Sequence, residues 1–226
     1  MYRDLASVMA MFALPSECSA AAESILRETI EYSNQRNPKA AEIVCSRRLM
    51  CELAGLGCVL SQAEAKNLLG ALMRFYFASQ YRCPTDLLAK ASTCNILTTM
   101  RRLRVNKEQY SRSMKPMGLK IFPVHELVLA FHGENDATKI QEYRRRWIKK
   151  GGLLFSGRMI APATSPIWIE MSNFHLPYPP YDFECGFDRT EVDRQEGIKF
   201  GLIKPSPCRP ELKAAAKLIK YKLKIS

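Results

Sequence analysis

Residues 151–203 read GGLLFSGRMIAPATSPIWIEMSNFHLPYPPYDFECGFDRTEVDRQEGIKFGLI. Leu153-Leu154-Phe155 and Arg158-Met159-Ile160 flank Ser156-Gly157 and predict short strands or a hairpin. Ser165-Pro166 offers a cap and a first helical residue for one or two turns bearing Ile167, Trp168 and Met171. Pro177-Tyr178-Pro179-Pro180 must be extended or turned, because proline fixes φ, lacks a donor and keeps the preceding residue out of the α region. Phe174, Tyr178, Tyr181, Phe183 and Phe187 surround that run, enough to pin it against a core. Trp168, Pro179 and Pro180 are therefore assigned to packing. An exposed proline-rich ligand for an aromatic groove is the alternative. Thr190-Glu191-Val192-Asp193 predicts a helix start and Gly201 its stop.

Upstream, the pattern is helical. Ala21, Ile25, Thr29 and Tyr32 recur at near-helical spacing over residues 16–35. Asn37-Pro38 opens a second helix that fades at Gly55 or Gly57. Ser61-Gln62-Ala63-Glu64 matches a capping box, followed by an apolar stripe through Ala65, Leu68, Leu69, Leu72, Met73 and Tyr76 that Pro84 ends. Thr85 or Asp86 caps a further helix running towards Leu103, which becomes basic at Arg101, Arg102 and Arg104. Lys115-Pro116-Met117-Gly118 breaks the pattern, residues 119–124 read as an extended connection, and Pro123 opens a short helix with Leu127 and Leu129 that stops at Gly133. Asn135-Asp136 caps a helix over residues 137–150. Its Arg144, Arg145 and Lys149 face solvent, and Gly151 takes the left-handed position after its end. The fold expected is α+β and predominantly α-helical: a helical region over residues 1–133, a compact loop-rich module over 134–204, and a basic tail or docking helix over 205–226.

The net charge of +12 is concentrated. Residues 101–150 carry a net +8 and residues 205–226 a net +5, whereas residues 1–100 and 151–204 are close to neutral. Cations so placed suit nucleic acid or another acidic surface, with salt-sensitive binding. They equally suit a solvated helix face. Arg101, Arg102, Arg104, Arg144, Arg145 and Lys149 are the candidate contact residues.

Enzymatic signatures are missing from the sequence. There is no phosphate-binding Gly-Lys-Ser/Thr loop, no nucleophile elbow and no His-Glu-x-x-His. His125, His132 and His175 match no metal or triad spacing, so no catalytic residue, metal or cofactor is expected. Asp182, Glu184, Asp188, Glu191 and Asp193 could hold a divalent ion only by converging; they read more simply as solvated turn and helix-start residues. The eight cysteines form no Cys-x-x-Cys pair and read as reduced structural thiols. No apolar run is long enough to span a bilayer and no secretory leader is expected.

The sequence Pro-Tyr-Pro-Pro-Tyr-Asp-Phe-Glu-Cys-Gly-Phe, with Glu191-Val192 and a closing Gly201-Leu202-Ile203, resembles the C-terminal signature of phage Mu F-type head morphogenesis (minor head) proteins. The resemblance spans residues 147–203, and Pro179, Pro180 and Cys185 fall in place within it. Phe187 stands where the family pattern carries a second cysteine, which leaves no thiol pair to hold a metal. The resemblance implies a virion-associated structural protein of a phage or prophage. Its partners would be portal or capsid proteins, with nucleic acid as a further partner, and its place the host cytoplasm during assembly and then the virion. The reading from charge alone is a basic nucleic-acid-binding protein of regulatory or packaging type.

Overall fold

The computed structural model describes residues 4–130 and 136–205. In chain order they form α1 (Leu5–Met11), a 3₁₀ turn (Ser16–Cys18), α2 (Ser19–Gln35), α3 (Pro38–Gly55), α4 (Gln62–Gln80), α5 (Thr85–Lys90), α6 (Thr93–Ser113) and α7 (Pro116–Ile121). There follow β1 (Val124–Leu129), α8 (Asp136–Lys149), β2 (Leu154–Phe155), β3 (Arg158–Pro162), α9 (Ile167–Glu170), β4 (Phe187–Val192) and α10 (Arg194–Lys199). The fold is α+β and predominantly helical, with a small antiparallel sheet in the C-terminal part.

Local chemistry places the helix starts. The Asn37 side chain accepts from the Lys39 N–H at 2.8 Å, with Pro38 at the first helical position of α3. Ser61 and Glu64 form the reciprocal capping box of α4. The helix expected from Thr85 towards Leu103 is instead two: α5 ends at Lys90, Ala91 turns to extended backbone, and the Ser92 hydroxyl caps α6 by accepting from Asn95 N. A second cap inside the stretch, at a serine that competes for backbone N–H groups, restarts the helix in a new direction. α1 carried no signal that singled it out. Helices α1 to α6 enclose one core built on Leu49, Leu53, Leu68, Leu69, Leu72 and Phe77.

The expected helix after Pro123 is a strand. Residues 124–129 form β1, which pairs antiparallel with both β3 and β4 in the order β2-β3-β1-β4. Val124 and Leu127 fit a helical spacing, but Leu127 and Leu129 alternate as in a strand, and burial on both faces of a sheet decides for the strand. β1 thus supplies the inner strand of the C-terminal lobe from ahead of residue 134. The break expected at residues 115–118 and the extended connection expected over 119–124 instead contain α7, with Pro116 at its first position. Thr190, Glu191 and Val192 lie inside β4, and the helix there starts later, at α10, where Asp193 accepts from Glu196 N at 2.8 Å. His132, Gly133, Asn135 and the tail from residue 206 lie outside the described residues.

The registers Val124↔Val192, Glu126↔Ile160 and His125↔Ala161 sort the sheet into two faces. On one, Val124, Ile160 and Val192 pack under Phe200, Leu202 and Ile203. A Cβ on Gly197 would lie 2.8 Å from Val124, so glycine lets α10 settle against this face. On the other, Leu127, Met159, Ala161 and Phe187 pack against Trp147 of α8, Trp168 of α9 and Tyr181. The two indoles meet edge to face at 5.4 Å between ring centroids.

Candidate functional site

The proline-rich segment is the joint between the helical body and the sheet lobe. Its aromatics divide between the two cores: Phe174 and Tyr178 enter the helical core, while Tyr181, Cys185 and Phe187 enter the sheet-side core. Phe77 of α4 meets Phe174 edge to face at 5.4 Å and Phe183 in a tilted contact at 5.2 Å. Trp168, Pro179, Pro180 and Cys185 are all buried, and the Pro179-Pro180 bond is cis. Polar side chains from two helices fix the same loop. From α6, Arg102 donates to the Cys185 carbonyl at 2.5 Å, Asn106 to the Pro179 carbonyl at 2.8 Å, and Asn95 to the Glu184 carboxylate. From α8, Arg146 donates to Asn173 at 2.7 Å and sits 3.7 Å from Asp182, and the Tyr143 hydroxyl donates to Cys185 Sγ at 3.2 Å.

At the centre of the joint lies Arg189 on β4. Its Nε donates to His125 Nδ1, and Nη1 and Nη2 donate to the carbonyls of Pro177 and Ala163, each at 2.6 Å. The guanidinium stacks over Trp168, 4.4 Å from the ring centroid, and over Tyr110 of α6 at 5.4 Å. One planar fork therefore ties β4 to β1, to the loop before α9, to the proline run and to α6. Burial lowers the pKa of Arg189 from its ordinary value. Burial, then the adjacent Arg189 charge, pushes His125 down to about 4, with a smaller upward pull from the Phe122 carbonyl. His125 is accordingly neutral at pH 7. With Nδ1 accepting from Arg189, the ring proton is assigned to Nε2, which is buried and makes no hydrogen bond of ordinary geometry.

His125 and Arg189 border a cleft of about 30 Å³ closed by Asn106, Gln109, Tyr110 and Glu191. That volume holds water; pockets for metabolites run to roughly 300–1,000 Å³. Among the described residues no three His, Cys, Asp or Glu side chains are grouped to hold a metal ion. Of the acidic cluster, Asp182 is engaged by Arg146 and Asn173, Glu184 by Asn95, and Asp193 caps α10. The joint is thus chemically a clamp.

The six candidate cations part company in three dimensions. Arg102 points inward to Cys185, and Arg101 reaches the Arg36 carbonyl at 3.4 Å from an exposed position. Arg144 is half-buried beside Gly157, with its Nε enclosed and without a hydrogen bond. Arg104, Arg145 and Lys149 are exposed. Arg104 shares a shallow surface hollow of about 630 Å³ with Lys107, Glu108, Ser111 and Arg112. Lys107 and Arg112 were missed by sequence reasoning although they fall on the face of α6 that Arg104 marks. Arg146, Arg158 and Arg189 were also missed. Arg158 chelates Glu126 through Nε and Nη2 at 2.9 and 2.6 Å and also bonds Glu196, contacts between residues distant in sequence.

No single helix among the described residues is long and apolar enough to cross a membrane. Compared with protein-family models, with curated proteins and with solved structures, the chain matches none.

Proposed function

We propose that this chain is a virion-associated structural protein of minor head type, which binds an acidic partner through the outer face of α6. The observation that carries the contact is the hollow where Arg104, Lys107, Ser111 and Arg112 stand exposed with a single carboxylate, Glu108, among them. Glu108 lies 3.8 Å from Arg112 in an exposed pair, which in water is worth only about 0.3–0.5 kcal/mol and leaves the cations available. The sheet lobe and its clamp hold α6 by Arg102 and Asn106, so the cations are presented without a backbone ordering cost at binding. The phage setting rests on the resemblance of residues 147–203 to minor head proteins. Portal and capsid surfaces are the partners that the setting implies.

Packaged DNA is the second reading, favoured by the same cations with Ser111 between them, a set suited to phosphate oxygens. Titration of binding against salt separates the two, with duplex DNA in one arm and the portal and capsid proteins encoded nearby in the other. On DNA, three phosphate contacts give a log–log salt slope of about −2.7, and reversing Arg104, Lys107 and Arg112 to Glu removes it. On a portal or capsid protein, the same triple reversal weakens binding in a salt-dependent way while DNA binding stays negligible. Affinity for both that is indifferent to the reversal rejects the α6 surface, and a gene far from portal and terminase genes rejects the phage setting.

A further inference from the structure

We propose that Cys18 and Cys58 are a redox-convertible pair, in which hydrogen peroxide closes a reversible disulfide across the helical body. Their sulfurs lie 3.4 Å apart, and the structure shows no other thiol–thiol contact among the described residues. The two backbones are fixed independently of each other. Cys18 closes the 3₁₀ turn, its N–H bonded to the Pro15 carbonyl at 3.1 Å, and it leads directly into α2. Cys58 belongs to the C-terminal cap of α3. Gly57 takes φ +83°, the Gly57 N–H reaches the Ala54 carbonyl at 3.0 Å, and the Cys58 N–H reaches the Leu53 carbonyl at 2.8 Å. That is the double bond pattern of a Schellman cap, which sets where the Cys58 side chain starts. The step from 3.4 Å to the roughly 2.05 Å of a disulfide is on the scale of a side-chain rotation.

The exposures of the two thiols assign their order of reaction. Cys18 is buried and Cys58 is half-buried, so peroxide meets Cys58 first. Burial, reinforced by the contact with Cys58, raises the Cys18 pKa and keeps it protonated, which disfavours it as the first thiol to attack peroxide. The Cys58 sulfur attacks one peroxide oxygen, the O–O bond breaks, and water leaves behind a sulfenic acid. The Cys18 sulfur then attacks the Cys58 sulfur, the S–O bond breaks, and the oxygen departs as a second water carrying the Cys18 proton. Two thiols lose two electrons in all, and one peroxide gains them. The product joins the start of α2 to the α3–α4 connection and closes a loop across 40 positions of sequence. A loop of that size restricts the unfolded chain enough to raise the melting temperature by about 10 °C.

The inference is independent of the α6 contact surface. The full chain is reduced with dithiothreitol, desalted, treated with hydrogen peroxide, blocked with an alkylating agent and digested, with melting recorded before and after. The expected result is a Cys18–Cys58 linked peptide, a melting shift of about 10 °C, and loss of both on renewed reduction. Cys58→Ser, at a half-buried position, abolishes link and shift. Cys51→Ser, which removes an exposed thiol, leaves both in place. Absence of the linked peptide in folded protein, a shift that survives in Cys58→Ser, or a link lost in Cys51→Ser overturns the proposal.

Discussion

The helical body and the sheet lobe satisfy their buried polar groups in opposite ways. In the body, buried hydroxyls turn back on their own helix: Thr29 donates to the Ile25 carbonyl at 2.6 Å, Ser33 to Ile30 at 2.8 Å and Ser46 to Ile43 at 3.1 Å. In the lobe and joint, arginines reach across the chain. Arg102 spans 83 positions to Cys185 and Arg189 spans 64 to His125. Local bonds survive as long as the helix does, whereas long-range forks exist only when the whole lobe is assembled. Both regions have apolar cores, but the lobe adds to its own a few long-range polar contacts that nothing nearby can replace.

Arg189→Ala is the sharpest way to break that contrast. It strands two carbonyls and the His125 ring nitrogen in a buried joint, with an expected loss of about 3–5 kcal/mol in urea unfolding. Arg189→Lys keeps the charge and loses the fork, so it recovers only part of that loss. If both variants melt as the parent does, the clamp carries no stability. Next in size, Leu72→Ala in the fully buried body core costs about 2–4 kcal/mol. Its hydrogen-exchange signature is expected to start in α2 to α6, while that of Arg189→Ala starts in the sheet.

The pH dependence follows from His125. In the folded protein it stays neutral until pH falls to about 4, while the unfolded chain binds the proton near pH 6.5. Stability from this group is complete above about pH 6.5, falls as pH drops through the interval, and levels near pH 4, a loss of about 3 kcal/mol. His125→Gln, which keeps an acceptor for Arg189, flattens the slope over that interval in thermal melts. An unchanged slope in the variant assigns the titration elsewhere. Smallest of all, Ser61→Ala removes one half of the capping box of α4 and costs about 1 kcal/mol. Its effect stays within the body and leaves the lobe's exchange rates alone.

The caps were legible because each lies within three or four residues of its partner. Asn37, Ser61 and Glu64 mark the starts of α3 and α4 in sequence and in structure alike, and the hairpin at Ser156-Gly157 follows from its turn residues. The misreadings share a cause. Residues 124–129 and 187–192 were assigned without knowledge of what would cover them, and both are strands that bury side chains on two faces. Reading 190–193 as a helix start hid the parity of β4, in which Phe187 and Arg189 face the same side. With that parity lost, a buried arginine had no reason to be suspected. The candidate cations were visible as charge, but nothing local distinguishes Arg102, turned inward, from Arg104, turned outward.

The sequence by itself determined the helix starts that caps encode and the α+β class, and it favoured the burial of Trp168, Pro179 and Pro180 that the structure shows. Only the tertiary structure decided that β1 crosses into the C-terminal lobe, that Arg189 and His125 meet, and which cations remain for a partner. The physical reason is range. Capping and turn chemistry act between neighbours along the chain, whereas strand pairing and buried guanidinium contacts are settled by surfaces that meet only after both cores have formed.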